Sequence, residues 1–148
     1  MQNFGHILSK LPYSKPFLFV DHLHSIDENG AEGSYTFPSD AYFYKGHFAD
    51  KPITPGVILT EVMAQIGVVC LGIFLLTETQ QSDIDIALTS TQIDFYKPVL
   101  PTETVTVRST KDYFRFHKLK CKVEMVNSAG ELVCRGAISG MMKPKTYA

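Results

Sequence analysis

The sequence contains no Cys-x-x-Cys pair. Its three cysteines, Cys70, Cys121 and Cys134, are odd in number and far apart. Neither a zinc site nor a disulfide framework is suggested, and reduced thiols of a cytoplasmic protein are the plain reading. Neither charge is in excess: the net charge is −1, which argues against a dedicated nucleic-acid binder. The opening Met-Gln-Asn-Phe-Gly-His6 lacks the basic and apolar regions of a secretory signal. The longest run without a polar side chain, Ile66 to Leu76, is too short to cross a bilayer, so no membrane is expected. Internal repeats, low-complexity segments and linkers are also missing.

What is present fits a globular fold. The chain has 148 residues, 45% apolar and 20% charged, so a single domain over 1–148 with its own hydrophobic core is expected. Charge is unevenly placed. Residues 1–95 hold four Lys/Arg against eleven Asp/Glu, whereas residues 96–148 hold ten against four. The C-terminal third is therefore basic.

Residues 3–10 read as a short helix. Pro16 to Ile26 reads as a strand, Asp27 to Gly30 as a hairpin turn with Gly30 supplying a positive φ, and Ala31 to Phe37 as the returning strand. Residues 38–53 have no period and read as a long ordered loop, a kind that is usually functional. Thr54 suits an N-cap and Pro55 the first helical position. Apolar residues then run almost all the way round a helix to Leu76, and such a helix must be buried. Ile84 to Tyr96, Glu103 to Phe116, Lys118 to Val126 and Glu131 to Met142 supply the strands to wrap it. The fold class is α+β: a long central helix in a curved antiparallel sheet of about six strands. A parallel α/β fold is excluded because the crossover helices are missing. One sheet covers only part of such a helix, so pairing of two subunits is expected to finish the burial.

The stretch Gly46 to Gln65 carries the candidate chemistry. His47 sits in the loop just before the helix, where an imidazole with a pKa near ~6.5 can accept a proton. A histidine in a loop is also commonly structural. Glu61 is the one carboxylate in the apolar helix, so it must be paired, protonated or functional. Burial would raise its pKa and suit it to donate a proton; a glutamate at the helix edge is the bland alternative. Gly56 falls near the helix start, where a free N–H and the helix dipole suit a carbonyl oxygen gaining charge. Pro-Gly that merely bends the chain fits that dipeptide equally well. Gln65, four residues after Glu61, can orient the carboxylate or serve as a structural amide. His22 and His24 share a strand face with metal-capable spacing, but no third ligand is evident and no metal is expected. Tyr42, Phe43 and Phe48 are core bulk or tunnel lining. A base, an acid and an oxyanion donor within twenty residues suit proton abstraction next to a carbonyl, followed by loss of a β-hydroxyl.

Leu11-Pro-Tyr-Ser-Lys-Pro-Phe-Leu-Phe-Val-Asp21, Gly46-His-Phe, Pro52-Ile-Thr-Pro-Gly-Val57, Glu61-Val-Met-Ala-Gln65 and Phe95-Tyr-Lys-Pro-Val99 together resemble the FabZ-type 3-hydroxyacyl-acyl-carrier-protein dehydratases. The resemblance runs from about residue 11 to 142. It implies a hot-dog fold, His47 and Glu61 as catalytic pair, and substrate contacts at Phe48, Gly56, Val57 and Gln65. It further implies a homodimer whose sites each take the histidine from one subunit and the acid from the other, three such dimers commonly forming a hexamer. The substrate would ride on phosphopantetheine of an acidic acyl carrier protein, with no other cofactor. Lys97, Arg108, Lys111, Arg115, Lys118, Lys120 and Lys122 are available to that partner. The sequence departs from the family pattern at Tyr13-Ser14, Ala49, Thr54 and Pro101-Thr-Glu103. None of these removes a catalytic group, but they leave the acyl chain and the pathway open, housekeeping or specialised (a polyene pigment or polyketide). A hot-dog thioesterase and a non-catalytic subunit of a heteromeric dehydratase are the rival readings.

Overall fold

The structure, a computed structural model, describes residues 4–46, 50–77 and 84–144. Six strands form it: β1 (His22–Asp27), β2 (Gly30–Thr36), β3 (Ile84–Phe95), β4 (Thr104–Arg115), β5 (Lys118–Asn127) and β6 (Leu132–Pro144). They pair in the order β1-β2-β4-β5-β6-β3, every pair antiparallel. Alternation sets the inner face. In β5, Leu119, Cys121, Val123 and Met125 are buried while Lys118, Lys120, Lys122 and Glu124 take the other face.

The helix inside the sheet spans Gly56–Thr77, 22 residues long. It is α-helical over Gly56–Met63, widens to a π-helical stretch over Ala64–Val69, and returns to α over Cys70–Thr77. By length and composition it could cross a membrane, yet 78% of its most apolar window is buried inside the chain. It starts later than expected. Pro55, rather than Thr54, occupies the cap position, and no side chain caps the first turn.

Three further expectations are corrected. The strand predicted from Pro16 begins only at His22. Residues before it form an irregular strap laid along the helix, because Phe19 N–H donates to the Gln65 side chain rather than to a strand. Gly30 does not take a positive φ. It is required by close approach instead, since a Cβ there would collide with the Ser109 carbonyl. Finally, the sheet is not the helix's only cover within one chain. The N-terminal segment covers the side that the sheet leaves open, with Ile7 and Phe19 enclosed and the short helix Gly5–Leu8 against the Cys70–Thr77 end. What stays open includes the helix start, where Val57 is 77% exposed, and the edge strand β3, where Leu88 and Phe95 are 43% and 49% exposed.

Candidate functional site

Glu61 lies in the second turn of the helix and is half-buried. Gln65 follows one turn later, inside the π-helical stretch, and is fully enclosed. Its amide is committed on every side. Nε2 donates to Glu61 Oε2 at 2.9 Å and to the Phe17 carbonyl at 2.9 Å, while Oε1 accepts from Phe19 N–H at 2.8 Å. One side chain thus pins the strap to the helix and holds the carboxylate.

The electrostatics of Glu61 follow from this cage. Burial pushes its pKa above the ordinary value, and the Gln65 hydrogen bond pulls it partly back. Tyr13, from the strap, faces the same region. Its hydroxyl is pushed up to about 12, first by burial and then by the Glu61 charge. Tyr13 was not a predicted site residue; the motif that contains it was the only signal.

Gly56 is the first helical residue. The first intrahelical donors are Ile58 and Leu59, both to the Pro55 carbonyl, so the Gly56 and Val57 amides precede the ladder. A side chain at position 56 would crowd the Phe95 ring. A Cβ would sit 3.1 Å from Phe95 Cζ and 3.2 Å from a second ring carbon. Phe95, the last residue of β3, therefore walls the helix start, a role that its place in the Phe95–Val99 motif did not disclose.

His47 and Phe48 lie outside the described residues. His22 and His24 stack with ring centroids 6.2 Å apart, and His24 Nε2 bonds Ser34 Oγ at 2.9 Å. Among the described residues no group of three His, Cys, Asp or Glu could hold a metal. All three cysteines are buried thiols pushed up to about 12 by burial. Of the predicted basic residues, Lys97 pairs with Glu131 at 3.2 Å and Arg108 with Glu32 at 2.9 Å. Lys118, Lys120 and Lys122 alternate along the outer face of β5. A depression of ≈ 570 Å³ lies on that outer face, lined by Asp94, Arg108, Lys122, Glu124 and Arg135 over Gly136 and Ala137. It is separated from Glu61 by the sheet and has mixed charge, so size alone does not make it the reaction site.

A family described as FabA-like domain matches residues 11–138. The chain belongs to the FabA-like family. Relatives within reach of this FabA-like chain carry the name 3-hydroxyacyl-[acyl-carrier-protein] dehydratase FabZ. The one from Caldicellulosiruptor bescii is 31% identical, covering 93% of this chain and 96% of the relative. The one from Sinorhizobium fredii is 35% identical, covering 96% and 90%. Among solved structures, the dehydratase heterocomplex ApeI:P from Xenorhabdus doucetiae superposes with a TM-score of 0.77 at 14% identity, covering 94% of this chain and 91% of that one. At such identity the likeness carries the fold alone. That fold is the hot-dog arrangement, a central helix wrapped by a curved antiparallel sheet.

Proposed function

We propose that this FabA-like chain dehydrates 3-hydroxyacyl thioesters held on acyl carrier protein, releasing a trans-2-enoyl thioester and water, in fatty-acid synthesis or a related polyene or polyketide route. The observation that carries the reading is Glu61: a half-buried carboxylate with a raised pKa, held by Gln65, in a chain 31% to 35% identical to FabZ dehydratases. His47 takes the α proton. The Gly56 amide at the helix start receives the thioester oxygen as it gains charge. Glu61 gives its proton to the departing β-hydroxyl, so the C–O bond breaks and water leaves. No electrons are transferred, and the reading needs no metal or redox cofactor.

The proposed assembly is a homodimer, in the cytoplasm, whose sites each combine His47 of one subunit with Glu61 of the other. The exposed apolar side chains Leu88 and Phe95 on the edge strand and Val57 at the helix start support such pairing, because apolar groups left open at a sheet edge invite a partner. Lys118, Lys120 and Lys122 are suited to an acidic carrier protein.

The test is incubation of the purified protein with 3-hydroxyacyl carrier thioesters of several lengths, read by mass spectrometry. Loss of one water from the acyl group is expected, and His47→Ala should abolish it while leaving the thermal transition in place. Release of the free carrier thiol would instead indicate a thioesterase. Near-wild-type dehydration by His47→Ala would sink the assignment.

A further inference from the structure

Tyr44 ends the 3-10 turn Tyr42–Tyr44, and Thr54 stands two residues before the helix start at Gly56. Both are buried, at 6% and 3% exposure. Their hydroxyls, Tyr44 Oη and Thr54 Oγ1, lie 2.6 Å apart. This contact joins the two residues that flank positions 45–53, the stretch in which His47 falls. Thr54 is tied a second time, its N–H donating to the Val99 carbonyl at 2.8 Å. Val99 is itself fully buried, just beyond β3, whose final residue Phe95 walls Gly56. Three separate stretches therefore converge on one threonine: the start of the loop, the start of the helix and the chain leaving β3.

We propose that the Tyr44–Thr54 hydrogen bond is a positioning clasp that fixes the start of the central helix, and with it the direction of the Gly56 amide, relative to the two ends of the loop. Neither residue touches a reacting atom, so both are positioning residues. The proposal rests on the dehydratase reading for its catalytic consequence. Its structural consequence stands by itself. A buried hydroxyl pair with both partners satisfied is stable, and removal of one hydroxyl strands the other in a low-dielectric site. The helix start then shifts to relieve it, and a shift of a fraction of an ångström at an oxyanion donor slows the reaction without changing how the carrier binds.

Four variants test this: Thr54→Val, Tyr44→Phe, their combination, and Thr54→Ser. Each single removal should lower kcat about tenfold while KM for the carrier thioester stays within about twofold. The combination should be no slower than the slower single variant, because both remove one bond. Thr54→Ser, which keeps the hydroxyl, should restore kcat. In hydrogen exchange, the amides of Thr54, Ile58 and Leu59 should open about tenfold faster in Thr54→Val and Tyr44→Phe than in wild type. A kcat unchanged in both singles, a multiplicative double variant, or Thr54→Ser as slow as Thr54→Val would overturn the proposal. Wild-type protein without dehydratase activity would defeat the functional reading instead. Exchange then decides for the clasp, and unchanged amides at Thr54, Ile58 and Leu59 would refute it.

Discussion

Glu61 holds the tension between stability and chemistry in one side chain. Its folded pKa lies above the ordinary 4.5, with burial the larger cause. Folding therefore favours the protonated form. That contribution is complete below the unfolded value and is lost as pH rises through the folded one. Glu61→Gln cannot ionise and escapes this loss, so the Tm difference in its favour should grow as pH rises and close below about pH 4.5 in a melting series against pH. The same change should cut dehydration about 100-fold or more, since an amide cannot protonate the leaving hydroxyl. Gln65 behaves oppositely. Gln65→Leu leaves the Phe17 carbonyl and the Phe19 N–H without their partner, and should cost about 2–5 kcal/mol in urea unfolding. If Gln65→Leu is as stable as wild type, the strap is held by something other than this amide.

At the scale of elements, β3 is the strand whose attachment decides how the open face is presented. Among the described residues it pairs only with β6, and Gly136 of β6 lies directly across from Ile93. A Cβ at Gly136 would run into the Gln92 carbonyl. Gly136→Ala should therefore destabilise the fold by about 1–3 kcal/mol and speed amide exchange in β3 before the other strands. Exchange that rises evenly through the sheet would count against this. Strands β2 to β6 were legible in the sequence because alternation is a local signal, and each falls within two residues of its predicted range. The start of β1 was not, because Phe19 bonds a side chain 46 residues away, and no local pattern reports that. The tight β4–β5 turn was equally hidden. Phe116 and His117 take φ of 52° and 63° without a glycine. In the candidate site, Glu61 and Gln65 could be paired from their spacing of four. Phe95 over Gly56 and Tyr44 on Thr54 could not, since each joins stretches with no shared period.

For the whole molecule, one chain encloses most of the helix with its sheet and its N-terminal strap and leaves the helix start open at Val57. The argument for pairing rests on the exposed Val57, Leu88 and Phe95 and on the division of the proposed site. Leu88→Lys, far in sequence from Glu61, should shift the protein toward monomer in light scattering and lose activity with it. The most direct test of the divided site combines two inactive chains. His47→Ala and Glu61→Gln should each be inactive alone. Co-expressed or exchanged in equal amounts, they form mixed dimers in which one site is doubly defective and the other is intact, so activity should return to about one quarter of wild type. No recovery, with mixed dimers verified by mass spectrometry, would contradict a site built from His47 of one subunit and Glu61 of the other.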